Sequence, residues 1–480
     1  MTGAGKGPRM TSSVMGRFVP VEAPPTARRQ RLLMITCEFP PNGAVAGQVC
    51  WQIAQYLPRY GWDPVVLTAR DRHLQALDVS PDPLPVVRTG AVPHPFTVYR
   101  RLKARIRPAT AGAASSHAGA SAHAADAGMG GSLRRLVLSL GYAPDEYSGW
   151  IVPAVMAGLR AIRRHRIEHL FSSSPHSTSQ LVGLVLARLS RLPWTAHFQD
   201  PWTYPWKQWQ ETKPVTALSA WLETALEGMV VRRADVVACV TEEHTNRLRQ
   251  RYPDQPADKF ITNPNGFDGD EWESVERESR EARRDTFVIT YAGSLYNLRS
   301  PLPLFRALRS LIDSSDVIRE RVQVDLFGNV EGVRVTEMAA ACGLVGCVTI
   351  TGPLGRAETL RRMAQSDLLL LLAGGMTHQI PLKTYEYLRA GRPILALTPQ
   401  GAIANLLRRT GGAWVVDPAD DRGVAAAVRE AYRLWDGGLP GPVPDREIVA
   451  RFDRRVLVGR LAEILRDRSG IQTHLQLKSS

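Results

Sequence analysis

The segment Ser366–Thr398, SDLLLLLAGGMTHQIPLKTYEYLRAGRPILALT, constrains this chain more than any other. Leu368 to Ala373 is a continuous apolar run with the length of a buried strand. It stops at Gly374-Gly375, where a backbone without Cβ atoms turns sharply and comes close to a ligand. Pro381 suits the first turn of a helix, Leu382 to Ala390 carries that helix, and Gly391 suits its left-handed cap before a second buried strand, Pro393 to Leu397. The unit is therefore strand, loop, helix, strand. In a parallel sheet built this way ligands bind at the carboxyl ends of the strands, and the amino end of the next helix offers N–H groups to an anion. Lys383 and Glu386 are three residues apart and share one helix face near that mouth. A cation for phosphate and a carboxylate for two sugar hydroxyls suit a nucleoside diphosphate. A surface ion pair between the two is the competing reading.

Within this segment, IPLKTYEYLRAGRPILAL resembles the donor-binding stretch of the retaining glycosyltransferases of family four. The resemblance implies the α/β GT-B fold: two Rossmann-like doubly wound domains facing a cleft, with a C-terminal helix crossing back to the N-terminal domain. In that family a Glu, seven residues and a second Glu bracket the site. The second binds the ribose of a nucleotide sugar and the first touches the transferred sugar. Glu386 matches the second, whereas the first position is His378, a departure from the family pattern. The likeness extends loosely over Arg31 to Pro418.

A chain of 480 residues is too long for one core and suits two domains with extensions. Residues 1–30 read as a disordered extension and 31–266 as an N-terminal acceptor domain with a disordered insertion at 108–132. Residues 267–285, dense in charge, read as a linker, 286–440 as the C-terminal nucleotide-sugar donor domain, 445–468 as the crossover helix and 469–480 as a tail. The alternation of strands and helices demands parallel sheets in both domains.

The first strand, Arg31 to Phe39, runs into PPNGAVAG, whose Gly43 and Gly47 resemble the family's glycine loop at the cleft; a plain tight turn reads the same residues. The strands Leu170 to Ser174 and Trp194 to Phe198 end near His176 and Asp200, on or near positions that face the acceptor and the reacting sugar in the family. A loop histidine and a turn-forming aspartate before Pro201 are the plain alternatives. The strand Phe287 to Ala292 leads into Gly293, with Arg299 beyond. By the resemblance, Gly293 lets the backbone approach a diphosphate and Arg299 joins Lys383 in neutralising it. The implied donor-binding set is Gly43, Gly47, Gly293, Arg299, Gly375, His378, Lys383 and Glu386, with His176 and Asp200 as catalytic contacts.

The five cysteines are scattered and show neither metal spacing nor a disulfide framework. The net charge of +14 favours anionic partners. No recognition helix or stacking motif is visible and the basic residues are dispersed, so nucleic acid is not expected. Neither a signal peptide nor a run of ~20 apolar residues is present, and the expectation is a cytoplasmic protein. Val98 to Pro108, Leu133 to Leu140 and Trp150 to Arg166 combine basic and apolar groups that suit the inner, anionic face of a membrane; solvated helix ends are the alternative. An aromatic cluster of Trp202, Tyr204, Trp206 and Trp209 suits sugar stacking, a lipid interface or helix packing.

Together these features imply a retaining transfer of sugar from a nucleotide diphosphate sugar to a glycan or lipid-linked saccharide. The nucleotide sugar is a co-substrate; no metal ion or other cofactor is expected. A nucleotide-sugar epimerase of the same fold and a non-catalytic nucleotide- or glycan-binding protein remain as alternatives.

Overall fold

A computed structural model describes residues 20–24, 28–70, 84–92, 144–203, 216–278, 285–296, 299–331 and 334–468. The insertion 108–132, the basic stretch Val98 to Pro108, the helix read at Leu133 to Leu140, the aromatic residues Tyr204, Trp206 and Trp209, and the tail 469–480 lie outside the described residues.

Seven strands form the first sheet: β1 (Gln30–Thr36), β2 (Trp62–Ala69), β3 (Val86–Thr89), β4 (His169–Ser174), β5 (Trp194–Phe198), β6 (Val236–Cys239) and β7 (Phe260–Thr262). Their order is β3-β2-β1-β4-β5-β6-β7, and every pairing is parallel. The second half repeats the plan with β8 (Phe287–Ala292), β9 (Leu295–Tyr296), β10 (Val322–Phe327), β11 (Val330–Glu331), β12 (Val348–Thr351), β13 (Leu368–Leu372), β14 (Ile394–Leu397) and β15 (Ala413–Val416). Here the order is β12-β10-β8-β13-β14-β15, again parallel, with β9 and β11 forming a separate two-stranded ribbon. Both sheets change direction of winding beside their first strand, between β1 and β4 and between β8 and β13. Doubly wound sheets open a ligand crevice at such a point. The five leucines of β13 are all buried, as expected for a strand covered by helices on both faces.

The last helix, Arg454–Arg468, crosses back to the first half. Its Val458, Leu461, Ala462 and Leu465 are buried in one cluster with Leu32, Met34 and Trp62. Trp62 Nε1 donates to the carbonyl of Ala462 at 3.2 Å and the Tyr60 hydroxyl to that of Arg455 at 2.8 Å. Where the chain passes between the halves, Phe267 N–H donates to Phe452 O (3.1 Å) and Arg454 N–H to Phe267 O (2.8 Å), tying the outgoing and returning segments together.

Three sequence readings need correcting here. The charged stretch 267–285 contains a helix, Gly269–Glu278, and Phe267, Trp272 and Val275 are buried in a core cluster of the second half. One Trp and one Val at helical spacing anchor a segment whose remaining residues are mostly charged, which is why it reads as apolar-poor. The 445–468 stretch is two helices, Arg446–Ala450 and Arg454–Arg468, broken at Phe452. Finally, the N-terminal extension is ordered at its end: Ala23 N–H donates to Arg59 O at 2.9 Å, and β1 already begins at Gln30. No helix among the described residues is long and apolar enough to cross a membrane.

Candidate active site

The loop after β8 turns at Gly293, which has φ +125°. Its N–H donates to Phe327 O at 2.8 Å. Gly328, at φ +137°, lies so close that a Cβ there would stand 2.4 Å from Gly293 O. Only residues without side chains permit this crossing of the β8 and β10 loops. The bare side of Gly293 faces Lys383: a Cβ would lie 3.3 Å from the ammonium nitrogen.

Lys383 sits in the first turn of the helix Leu382–Ala390, whose amino end has no side-chain cap and whose carboxyl end closes on Gly391 at φ +67°. Its Nζ is buried with no hydrogen-bond partner among the described residues and rests 3.7 Å from the centre of the Tyr291 ring. Burial, and then the positive charge of Arg299, push the lysine well below its ordinary pKa, with Glu386 opposing. Arg299 lies over the Tyr296 ring at 4.5 Å, and its Nε is also buried without a partner among the described residues. Two cations on two tyrosine faces thus hold unsatisfied donors at the carboxyl end of β8. Buried donors are costly to leave unmade, and an acceptor placed here would satisfy both.

Glu386, one turn after Lys383, does not pair with it. Its Oε1 meets Arg356 Nη1 at 2.5 Å. Arg356 opens the helix Arg356–Ala364, and its Nε and Nη2 both donate to Glu271 Oε2, at 3.0 and 2.8 Å. Burial works against the charge on Arg356, but the carboxylates of Glu386 and Glu271 outweigh it and raise the arginine's pKa. Glu271 is itself raised because burial outweighs the help of Arg356. The surface ion pair between Lys383 and Glu386 that the spacing allowed is therefore not formed.

The loop after β13 carries Gly375 at φ +74° and reaches the first half. His378 O accepts from the Thr241 hydroxyl at 2.8 Å, and Gln379 Nε2 donates to Asp200 Oδ1 at 2.5 Å. His378 Nδ1 meets Thr377 Oγ1 at 2.7 Å, and burial, then Arg247, lower its pKa. His378 thus stands at the seam between the halves.

On the first half, His176 Nε2 lies 3.3 Å from Glu38 Oε1, and its ring packs on Tyr147 at 4.4 Å. Burial opposes its protonation, but Glu38 and Asp145 prevail and the pKa is raised. Asp200 is pushed up to about 6 by burial, against the Gln379 hydrogen bond and the charge of His176. Sequence reasoning named His176 and Asp200 but not Glu38, Asp145 or Arg356. Asp145 accepts from Thr178 N–H (2.8 Å) and Oγ1 (2.6 Å), fixing the start of the helix that follows His176. Gly47 lies inside the helix Val45–Tyr56, where a Cβ would stand 3.2 Å from the Glu38 and Phe39 backbone. It serves the close packing that holds Glu38 at the sheet edge. Gly43 lies in the turn where Asn42 Oδ1 accepts from Ala44 N–H at 2.9 Å. Trp202 is buried, which is packing rather than a stacking platform. Among the described residues no three His, Cys, Asp or Glu side chains are gathered for a metal ion.

Two family models match in tandem. Glycosyltransferase Family 4 matches residues 115–271 and Glycosyl transferases group 1 matches residues 286–433, together more than half of the 480 residues. The chain belongs to the family-four glycosyltransferases. It is 25% identical over 186 residues to a protein named D-inositol 3-phosphate glycosyltransferase from Streptomyces scabiei, covering 36% of this chain and 41% of that one. A protein of the same name from a Nocardioides species is 25% identical over 219 residues, 42% of this chain and 47% of the other. The chain thus spans less than half the length of these curated relatives. Among solved structures, sucrose-phosphate synthase from Thermosynechococcus elongatus matches with a TM-score of 0.59 at 14% identity, over 92% of this chain and 99% of that one. Anabaena HepE in complex with UDP matches with a TM-score of 0.57 at 14% identity, over 91% and 100%. Likeness at that identity concerns the fold: this family-four chain has the GT-B architecture, and the two tandem matches fall one on each Rossmann-like half.

Proposed function

We propose that the protein transfers a sugar, with retention at the anomeric carbon, from a nucleoside diphosphate sugar to a glycan or lipid-linked acceptor. The observation that carries this reading is the buried ammonium of Lys383, unpartnered among the described residues, against the bare face of Gly293, with the unsatisfied Nε of Arg299 as a second buried donor. A diphosphate at this mouth meets two positive charges and a helix amino end. Negative charge grows on the diphosphate as the glycosidic bond breaks, and donors already in place there stabilise that change without reorganising. Glu386 accepts from the ribose hydroxyls. Gly375 and His378 lie on the loop that flanks the transferred sugar. From the first half, His176 and Asp200 supply the sugar and acceptor contacts. The reaction proceeds on one face of the sugar, with the leaving phosphate helping to deprotonate the acceptor, so no protein nucleophile is needed.

The test is thermal stabilisation against a panel of nucleoside diphosphates, followed by transfer assays with the best binder's sugar donors. The acceptor panel includes lipid-linked saccharides and, following the name of the curated relatives, a phosphorylated inositol. Stabilisation by one diphosphate and transfer with retained configuration support the reading. Glu386→Ala then mainly weakens donor affinity, while Lys383→Ala or Arg299→Ala lowers turnover. No stabilisation by any diphosphate, or wild-type kinetics in all three variants, removes it. We also propose docking on an anionic membrane. The helix Ile151–His165 exposes Val152 and Met156 and ends in Arg163, Arg164 and His165. Flotation with anionic but not neutral liposomes is the expected result, and equal behaviour with both counts against it.

A further inference from the structure

Resting on the donor-site reading above, we infer that Arg356 is a positioning residue for the nucleoside: it holds the Glu386 carboxylate for the ribose diol and ties it to the interdomain helix Gly269–Glu278. Glu386 is 4% exposed, and a carboxylate so deeply placed requires a cation or several hydrogen bonds. Lys383, one turn away, feels its charge but makes no contact with it: its Nζ has no hydrogen-bond partner among the described residues and lies on the Tyr291 ring instead. Arg356 supplies the cation, with Nη1 at 2.5 Å from Oε1. The planar guanidinium is fixed from its other edge, where Nε and Nη2 both donate to Glu271. Oε1 is therefore held against the guanidinium, and in this inference Oε2 is the oxygen that accepts from hydroxyls.

Glu271 is not an isolated anchor. The helix that carries it begins at Asp268 and Asp270, which accept from the Tyr56 hydroxyl of the first half at 2.7 and 3.1 Å. Asp270 also pairs with Arg59 of the first half at 2.9 Å and with Arg455 of the crossover helix at 3.0 Å. A continuous chain of charged and hydrogen-bonded contacts thus runs from the first half through the linker helix to Arg356 and Glu386. Nucleoside binding is in this way sensitive to how the halves are set.

The test compares the best binder among UDP, GDP and ADP with its 2′,3′-dideoxy analogue, by calorimetry on wild type, Arg356→Ala, Arg356→Lys and Glu271→Gln. Arg356→Ala is expected to weaken the natural diphosphate about tenfold or more, the scale of one hydrogen bond to a charged group, and to leave the dideoxy analogue unchanged. Arg356→Lys and Glu271→Gln, which disturb packing less, are expected to fall between, with the same indifference to the analogue. A merely structural role would weaken both ligands alike. Equal loss for both, no loss, or tighter binding in Arg356→Ala overturns the inference while the donor site stands. Failure of all three diphosphates to bind wild type overturns the donor-site reading and this one with it.

Discussion

Replacing Lys383 by Met tests whether the buried ammonium is there for a ligand. In the protein as it stands the charge has lost its water, finds no hydrogen-bond acceptor among the described residues and is compensated by the face of Tyr291 at 3.7 Å and by the charge of Glu386. Cation–π contact offsets about 2 kcal/mol of a desolvation cost of several kcal/mol. Met keeps the length and most of the stem contacts of lysine without the charge. Lys383→Met should therefore stabilise the ligand-free protein by about 2 kcal/mol, or roughly 4–8 °C in melting temperature for a half of this size. Nucleoside diphosphate at ~100 times its dissociation constant should stabilise wild type by about 2.7 kcal/mol. If the variant binds about a hundredfold more weakly, the same concentration leaves it only about 0.4 kcal/mol. The pH dependence has a definite sign. Between the lowered pKa of folded Lys383 and the ordinary value near ~10.4, the unfolded chain holds a proton that the folded chain has released. Wild-type stability therefore climbs with pH through that window and is lost as pH falls through the folded value, and the variant lacks the climb. Differential scanning fluorimetry across pH, with and without nucleotide, reads all three effects. A variant less stable than wild type at neutral pH, or one that keeps the full nucleotide-induced shift, refutes the reasoning.

Asp200, with its pKa raised to about 6, adds stability that is fully present below its unfolded value and is lost as pH rises through about 6. Asp200→Asn should abolish that decline between about pH 4 and 6, as chemical denaturation at a series of pH values will show. Glu38→Gln should lower the pKa of His176, since Glu38 is the first of the groups that raise it, and an NMR titration of the His176 ring reads this directly. No change in that titration would mean that Glu38 and His176 do not interact in solution. Leu461→Ala, in the crossover helix and fully buried against the first half, should cost about 2–5 kcal/mol in denaturant unfolding. A cost below about 1 kcal/mol would argue that the helix is not docked there.

The sheet was legible because its strands are written locally. The five leucines of β13, the left-handed cap at Gly391 and the bounds of β5 and β8 follow from apolar runs and turn residues. β9 and β11, two residues each, are too short to leave a pattern, and the four residues of β3 are only partly buried. At the site, Gly293, Lys383 and Arg299 were legible as residue types after strands and at a helix mouth. Their partners were not. Glu38 reaches His176 across 138 positions, and Arg356 reaches Glu271 across 85. No local period encodes such a choice. The linker helix escaped for a different reason: among its described residues the buried large apolar side chains are Trp272 and Val275, within a run that composition alone assigns to solvent.

The two charged side chains on the mouth helix are treated in opposite ways, and that difference is informative. Had Lys383 and Glu386 paired with each other, an arriving anion would have to break the pair before binding, and a buried carboxylate would be left uncompensated. Supplying Arg356 to Glu386 from a separate helix removes that competition and leaves the ammonium of Lys383 and the Nε of Arg299 with donors that nothing in the described protein satisfies. The fold bears the desolvation of those cations beforehand, with Tyr291 and Tyr296 as partial compensation. An anion that supplies the missing acceptors recovers that cost as binding energy, and one that gains charge during reaction recovers more of it in the transition state than in the ground state.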